Sequence, residues 1–255
     1  MTTTEKKIQR LFATACAEKQ LLQDGDHVLI ALSGGKDSLQ LVRLLGRQQK
    51  IYKPRITVEA AHVTMPNLYH SDTEYLTRFC QEQGVPLNII KARDIQPRTT
   101  ADATHNDGEP GNGKKGKPMC FLCSWHRRHA LFDFARDHGF NKLALGHHQD
   151  DIIVTMLMNM TFEGSCATIP PAMDMRHYPL TVIRPMCLIP EHLITTVAQE
   201  LAFQRQEKHC PHEHVTRRHS LTDIFRQLEQ LNPEARYSLQ HVIDNLQNNT
   251  IKEQP

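Results

Sequence analysis

Short apolar runs alternate with stretches of helical periodicity along most of this chain. Continuous apolar runs predict β-strands at 28–32, 56–63, 87–91, 142–145 and 182–184. Apolar residues spaced by three and four positions predict helices at 71–83, 125–138, 150–160 and 191–203, and an apolar-rich helix that follows the first strand and ends near residue 50. Alternating strands and helices are typical of a parallel sheet with helices on both faces, so the fold class is predicted to be α/β.

Helical spacing also occurs at both ends of the chain, outside this alternation. It predicts an amphipathic helix over residues 4–22 and two helices between residues 221 and 246. Residues 94–118, by contrast, contain seven glycines and prolines, and a long insertion of this kind is usually either functional or mobile. We therefore predict an N-terminal helix in 1–24, an α/β domain in 25–205 with the insertion 94–118, and a C-terminal loop with helices in 206–255.

Composition changes this picture in a few respects. The chain has 255 residues, 39% of them hydrophobic, which suffices for a sizeable core. A net charge of +2 does not by itself indicate nucleic-acid binding. Charged residues throughout the N-terminal region exclude a secretory signal, and no apolar run approaches the ~20 residues of a membrane span. We expect a cytoplasmic protein with seven reduced cysteines, of which Cys16 and Cys80, on apolar helix faces, are predicted to be buried.

A Gly-Gly pair lies between the strand 28–32 and the helix that follows it. Glycines at such a junction let the backbone approach phosphate oxygens, and the helix N-terminus supplies free N–H groups and the positive end of its dipole. Lys36 and two serine hydroxyls can add contacts, while Asp37 can orient the loop or reach a magnesium ion. The spacing is not that of a Walker loop. The predicted phosphate-binding residues are Ser33, Gly34, Gly35, Lys36, Asp37 and Ser38.

This segment resembles the PP-loop of the ATP pyrophosphatases. The resemblance implies an adenine nucleotide α hydrolase-like fold and cleavage of ATP between its α and β phosphates. A substrate oxygen is then adenylated and pyrophosphate is released. The structural alternative is a tight turn rich in small polar residues, and the position of the segment at a strand-to-helix junction argues against it.

Two cysteines three residues apart stand at the opening of the predicted helix 125–138. Cys120 and Cys123 have a spacing that suits a metal centre, an iron-sulfur cluster or a redox dithiol, but two ligands close none of these sites. Cys210 follows a helix in a polar segment, and we predict it as the third ligand. His212 and His214 beside it leave a structural zinc site as the alternative.

Together with the PP-loop, further segments resemble the tRNA 2-thiocytidine synthetase family, from about residue 29 through the C-terminal helices. They are the Cys120–Cys123 pair with the basic helix after it, the Gly-His-His-Gln-Asp-Asp segment 146–151, the Ile-Arg-Pro segment 183–185, and Cys210. In that family three cysteines hold a 4Fe-4S cluster in which one iron lacks a protein ligand. The resemblance implies that Cys120, Cys123 and Cys210 hold such a cluster, whose open iron can bind exogenous sulfide.

Segment 146–151 follows the strand 142–145, at the edge of an open α/β sheet where ligands bind. The resemblance places it beside the ATP, with His147 near the phosphates and either Asp150 or Asp151 on magnesium or the substrate base. An ordinary turn with an Asp N-cap is the alternative. The remaining predicted nucleotide-binding residues are Gly146, Arg184 and His62. The predicted catalytic residues are Cys120, Cys123, Asp37, Asp150 and Asp151.

Basic residues form local clusters that could contact an RNA backbone. Phosphate contacts give affinity and position without base identity, although lysines in a Gly-rich loop equally serve solubility. The clusters are Lys114, Lys115 and Lys117, then Arg127 and Arg128, then Arg217 and Arg218.

The leading hypothesis is ATP-dependent tRNA thiolation. The 2-oxo group of an anticodon-loop cytidine is adenylated, and sulfide from the cluster or a cysteine persulfide displaces AMP to give 2-thiocytidine. The expected cofactors are ATP, Mg²⁺ and a 4Fe-4S cluster, and the resemblance implies a cysteine desulfurase as sulfur source and a homodimer. The alternatives are thiolation of a tRNA uridine, and a PP-loop ligase that adenylates a substrate for amine attack and carries structural zinc.

Overall fold

The computed structural model describes residues 1–65, 72–92, 119–204 and 217–252. For residues 119–122, 217 and 248–252 it describes the backbone only. The helices are α1 Thr3–Glu18, α2 Lys36–Gln48, α3 Thr73–Gln83, α4 Met119–Asp137, α5 Gln149–Phe162, α6 Glu191–Glu200, α7 Arg217–Leu231 and α8 Ala235–Lys252. The strands are β1 His27–Ala31, β2 Thr57–Thr64, β3 Leu87–Lys91, β4 Lys142–Ala144, β5 Ala172–Asp174 and β6 Thr181–Ile183. The insertion 94–118 and Cys210 lie outside the described residues.

In the described part of the chain the strands form one sheet in the order β3-β2-β1-β4-β6-β5. All neighbours pair in parallel except β5, which pairs antiparallel with β6 at the edge. The α/β prediction is confirmed. Residues 161–181, where the sequence pattern predicts no helix or strand, contain the end of α5 and all of β5. Every residue of β5 is exposed and two prolines precede it, so no apolar alternation marks this strand in the sequence.

Strand residues alternate between two helical layers. Val28 and Ile30 face a core cluster that includes residues of α1, α2, α3 and α6, whereas Leu29 packs with Phe132 and Ala135 of α4 on the opposite face. A further cluster joins α5 to the C-terminal helices through residues that include Ile153, Phe225 and Ile243. The helices predicted at both ends of the chain are therefore present, and the division of the chain at residues 24 and 205 stays a prediction.

Two helix boundaries differ from the predictions for local reasons. Helix α1 ends at Glu18 rather than near residue 22, because Gln20 has a φ of +50° and the chain turns there. Leu21 lies beyond the helix end and is fully buried. Because it is apolar, the sequence pattern predicts that the helix continues through it. Helix α4 begins at residue 119, not 125, and Cys120 and Cys123 therefore lie within the helix.

In the described ranges no helix combines the length and hydropathy that a membrane span requires.

Helix α1 is anchored to the sheet domain by a buried carboxylate. Glu5 closes a capping box with Thr2 and accepts hydrogen bonds from Arg43 and Arg47 of α2. Burial alone would raise the pKa of Glu5, but the hydrogen bonds from Arg43, the Thr2 backbone and Arg47 outweigh it and lower the pKa to about 2.

We expect Glu5→Gln to lower the free energy of unfolding by about 2 kcal/mol at neutral pH, because it leaves a nearly buried Arg43 without its carboxylate. The folded pKa of Glu5, about 2, lies below the ordinary value of 4.5. Its stabilising contribution is therefore complete above that ordinary value and is lost as the pH falls toward 2. Urea unfolding of wild type and variant across this range measures the difference. Glu18→Gln, at an exposed position on α1, is the matched control, and an undiminished difference at low pH would contradict the assignment.

Candidate active site

The phosphate loop connects β1 to α2 and is ordered by its own serines. Gly34 has a φ of +81°, a left-handed conformation that favours glycine. The Ser38 hydroxyl donates to the Gly35 carbonyl at 2.9 Å and accepts from the Ser33 amide at 3.2 Å. Gly35 is the N-cap of α2 and has no side chain to cap the first turn. The N–H groups that open α2 are thus available to an anion, which is the chemistry predicted for residues 33–38.

Lys36 extends from the first turn of α2 toward two carboxylates. Its Nζ donates to Asp37 Oδ1 at 3.0 Å and to Glu191 Oε1 at 2.8 Å. Burial alone would lower the pKa of Lys36, but the Asp37 and Glu191 carboxylates outweigh it and raise the pKa. Lys36 is therefore a firmly charged cation whose charge is balanced by acids in the absence of a phosphate ligand.

The second loop of the site follows β4, which pairs directly with β1. The chain passes from β1 to β2 and β3 on one side of the sheet and returns to β4 and β6 on the other, so a crevice opens between the ends of β1 and β4. A Cβ built on Gly146 would lie 3.2 Å from the Ser38 amide nitrogen and 3.3 Å from the Asp37 carbonyl carbon. A larger residue at position 146 would require the facing backbone to shift by a few tenths of an ångström. The structure thus brings the predicted segments 33–38 and 146–151 together.

His148, not an aspartate, is the N-cap of α5, and three carboxylates surround its ring. Its Nε2 lies 3.5 Å from Asp151 Oδ2 and 3.9 Å from Asp37 Oδ1, and its Nδ1 lies 3.8 Å from Asp150 Oδ2. Asp151 also accepts from the His148 amide at 3.0 Å and from Arg218 at 2.6 Å. Burial alone would raise the pKa of Asp151, but His148 and Arg218 outweigh it and lower the pKa. Mg²⁺ is commonly held by one or two carboxylates together with substrate phosphates, and Asp37 and Asp151 offer such carboxylates beside the phosphate loop.

Asp150 makes a different set of contacts from its neighbour. Both of its carboxylate oxygens accept from Arg236 of α8, at 2.7 and 2.8 Å, and Oδ2 also accepts from the Glu191 amide at 2.8 Å. Burial alone would raise the pKa of Asp150, but the hydrogen bonds and charge of Arg236 lower it. Sequence reasoning missed both Glu191 and Arg236. In the sequence, Glu191 is only an acidic residue at a helix start and Arg236 one of many charged residues on a C-terminal helix.

We expect Arg236→Met to lower the free energy of unfolding by about 3 kcal/mol, because Asp150 stays buried without its bidentate partner. The pKa of Asp150 should then rise, so the stability deficit is largest above the ordinary carboxyl pKa and shrinks as the pH falls below it. Chemical denaturation at several pH values measures this. Arg136→Met, which removes an exposed arginine paired with Asp133 and Asp137, should leave the free energy of unfolding almost unchanged. An equal loss in both variants would contradict a specific role for the Arg236–Asp150 pair.

Cys123 lies in the first turns of α4, half-buried against the ends of β2 and β3. It packs in a small cluster with Val63, Met65 and Ala92, and its Sγ is 3.5 Å from Met65 Sδ. Cys120 precedes it by one helical turn in α4, while its side chain and Cys210 lie outside the described residues.

The other described cysteines separate into buried and exposed thiols. Burial raises the pKa of Cys16, Cys80 and Cys187 to about 12, which disfavours the thiolate that nucleophiles and metal ligands need. The prediction that Cys16 and Cys80 pack as small apolar residues agrees with their place in and against the main core. Cys166 is exposed.

The remaining predicted nucleotide-binding residues are more deeply placed. His62 of β2 is fully buried, and its Nδ1 lies 2.8 Å from the Leu32 carbonyl, directly before the phosphate loop. Arg184 follows β6, and its guanidinium donates to the Pro170 carbonyl at 2.6 Å. Burial lowers the pKa of His147, and the nearby Arg184 and Arg218 lower it further, so its imidazole is favoured in the neutral form at neutral pH. Among these residues, His147 alone belongs to the loop that meets the phosphate loop.

A strand, a glycine-containing loop and an uncapped helix start at the switch point of a largely parallel sheet define a PP-loop nucleotide-binding domain. The PP-loop domain family matches residues 1–218 of the chain. The chain is 30% identical over 249 residues to the tRNA-cytidine(32) 2-sulfurtransferase of Bdellovibrio bacteriovorus, an alignment that covers 97% of this chain and 91% of that protein. It is 33% identical over 205 residues to tRNA-cytidine(32) 2-sulfurtransferase 2 of Francisella tularensis subsp. novicida, covering 80% and 76% of the two chains. The chain therefore belongs to the tRNA-cytidine(32) 2-sulfurtransferase family, which confirms the resemblance predicted from its motifs.

A solved structure has a similar fold. The U34-tRNA thiolase NcsA from Methanococcus maripaludis, determined with its 4Fe-4S cluster, superposes with a TM-score of 0.72 at 24% sequence identity. The superposition covers 95% of this chain and 79% of that chain. The likeness supports the α/β architecture described above.

Proposed function

We propose that the protein is an ATP-dependent tRNA sulfurtransferase that converts a cytidine of the anticodon loop, cytidine 32 in the names of its relatives, to 2-thiocytidine. The observation that carries the proposal is the match of nearly the whole chain to relatives of that name, at 30% identity. The phosphate loop and the 146–151 loop meet at the sheet's switch point, as an enzyme of this kind requires. Because tRNA is the substrate, we place the enzyme in the cytoplasm.

The reaction has two displacement steps. In the first, the cytidine O2 attacks the α-phosphorus of ATP, an O–P bond forms, and pyrophosphate leaves. In the second, a sulfur nucleophile attacks C2, a C–S bond forms, and AMP departs with the electron pair of the broken C–O bond. Lys36 and the amides opening α2 stabilise the charge on the departing pyrophosphate, while Asp37 and Asp151 are the proposed magnesium ligands.

The thiol of Cys123, the one proposed ligand whose side chain the structure describes, suits a 4Fe-4S cluster. Cys120 and Cys123 lie one turn apart in α4, and Cys123 is half-buried in a soft, apolar environment beside Met65. With Cys210 as third ligand, such a cluster would supply one iron open to an incoming sulfur atom. We propose these cysteines as the ligands, a cysteine desulfurase as the sulfur source, and a homodimer as the assembly.

Nucleoside mass spectrometry of tRNA tests the function directly. In a strain that lacks this gene and any redundant enzyme, 2-thiocytidine should disappear and should return when the gene is supplied on a plasmid. Loss of a 2-thiouridine instead would identify the base as uridine. Unchanged thionucleosides in the deletion strain would rule out tRNA thiolation.

Metal analysis of anaerobically purified protein tests the cluster separately from activity. We expect brown protein with about four irons per chain and a broad charge-transfer absorption that is lost on exposure to oxygen. Colourless protein with stoichiometric zinc would instead support a structural zinc site and the ligase alternative.

A further inference from the structure

A cavity of about 450 Å³ lies on the α4 face of the sheet, beyond β4 as seen from the phosphate loop. Its volume is typical of small-ligand pockets. Side chains from β4, β6 and α4, among them Leu143, Val182 and Phe132, form an apolar wall, and Met173 of the edge strand β5 borders the opening. These apolar residues lie outside the nucleotide site described above, whereas His147 and Arg184, which are predicted to bind the nucleotide, also line the cavity.

The cavity is also lined by three arginines, of which Arg184 is buried and Arg128 is exposed. Arg184 is only 6% exposed, and its Nε has no hydrogen-bond acceptor among the described residues. Arg127 and Arg128 of α4 line the same cavity. Burial and the positive charge of the nearby Arg128 lower the pKa of Arg184 to about 10. A buried guanidinium with an unused donor is expected to have an anionic or strongly polar partner in the functional state.

His147 connects this cavity to the phosphate loop. Gly146 abuts the Asp37–Ser38 backbone, and the next residue, His147, lines the cavity and presents a buried Nδ1 that has no hydrogen-bond partner among the described residues. A ligand in the cavity would therefore contact the residue that directly follows Gly146, and Gly146 itself contacts the phosphate loop. Arg184 and His147 line this space, and each carries a buried nitrogen, Nε and Nδ1 respectively, without a hydrogen-bond partner among the described residues.

We propose that this cavity binds the acceptor nucleotide of the RNA substrate, a pyrimidine flipped out of its stack, with the base against the apolar wall and a backbone phosphate on Arg128 and Arg184. This assignment rests on the proposed function. An enzyme that modifies a base must reach it outside the stack, and loop bases can be splayed into such pockets. The adenosine of ATP is the competing occupant, but it is uncharged, and its phosphates are already accounted for at α2. A site with several guanidiniums suits a second anionic chain.

A cavity-blocking variant tests the proposal. Met173 is 40% exposed, so Met173→Trp adds bulk at the opening with little cost to folding, and Met160→Trp, at a 47% exposed position on α5 away from the cavity, is the matched control. We expect Met173→Trp to lower single-turnover thiolation by roughly 10-fold or more, while ATP binding stays unchanged. Unchanged thiolation would overturn the proposal, and loss of ATP binding would assign the cavity to adenosine.

The charge on the cavity is tested by Arg128→Ala against Arg136→Ala on the same helix. Arg128→Ala should weaken binding of a short anticodon-loop hairpin by roughly 5-fold or more and reduce the slope of log K against log salt by about one. Equal effects in the two variants would remove the phosphate assignment.

A photo-crosslink keeps this proposal distinguishable from the proposed function. The hairpin would contain 5-iodocytidine at the target position, and the crosslinked peptide of the wild-type protein would be mapped by mass spectrometry. We expect a crosslink to the segment 172–184 or to α4. If wild-type protein thiolates cytidine but crosslinks elsewhere, the cavity assignment fails and the function stands. If it does not thiolate cytidine at all, the proposed function fails.

Discussion

Replacing Cys123 by Ser is expected to reduce tRNA thiolation by roughly 10³-fold or more while ATP binding is unchanged. A serine hydroxyl neither ligates iron as a thiolate does nor accepts a sulfur atom, so the sulfur half of the reaction is lost. The phosphate loop starts at the end of β1, and Cys123 packs at the ends of β2 and β3, so ATP binding does not depend on this thiol. Thiolation of anticodon-loop RNA and equilibrium ATP binding would be measured on the same preparation.

Cys166→Ser is the matched control for this variant, because Cys166 is exposed and lies outside the small cluster that contains Cys123. It should retain wild-type thiolation and metal content. If Cys123→Ser loses ATP binding together with thiolation, the thiol supports the fold rather than the chemistry. If Cys123→Ser retains thiolation, Cys123 is neither a cluster ligand nor a nucleophile in the reaction.

The second large effect is expected for Lys36→Ala, which should lower turnover by about 10²–10³-fold. The variant removes the cation that faces the departing pyrophosphate. It also leaves Asp37 and Glu191 directed at the triphosphate without their shared partner, which lies 3.0 and 2.8 Å from them in the wild type. Single-turnover adenylation, followed by pyrophosphate release, measures the first displacement separately from sulfur transfer.

A double variant separates the two contributions. Lys36→Ala combined with Glu191→Gln should recover roughly 5-fold of the lost rate, because one repelling carboxylate near the triphosphate is neutralised. Glu200→Gln, at the exposed end of the same helix α6, is the control and should give no recovery in the Lys36→Ala background. Equal rates for Lys36→Ala and the Lys36→Ala/Glu191→Gln variant would mean that Glu191 does not act through charge at this site.

The parts of the site that could be predicted from sequence are those in which chemistry and local structure occupy one short segment. Residues 33–38 combine a strand end, a glycine turn and a helix start, so their spacing alone indicates phosphate binding. The segment 146–151 follows a strand at the edge of the sheet where ligands bind, and the family resemblance implies its place beside the ATP; in the structure Gly146 meets the backbone of Asp37 and Ser38.

The residues that sequence reasoning missed act across long separations. Glu191 meets Lys36 over 155 positions, and Arg236 meets Asp150 over 86. Neither pair leaves a periodicity or a motif, because an ion pair depends on where two elements pack and not on local spacing. The different partners of Asp150 and Asp151 could not be predicted for the same reason. Asp150 and Asp151 are neighbours in sequence, yet one pairs with α8 and the other faces His148 and α7.

The salt bridge between Lys36 and Glu191 is also expected to affect the release of pyrophosphate from the enzyme. In the proposed reaction, pyrophosphate is held after adenylation by Lys36 and the start of α2, and strong retention of this anion would slow the next cycle. Glu191 is an anion already anchored at the start of α6, and it can return to Lys36 at 2.8 Å as the pyrophosphate leaves. The carboxylate thus acts as an internal competitor, present at high effective concentration, that exchanges with the product. We expect Glu191→Gln to show tighter inhibition by added pyrophosphate than the wild type does.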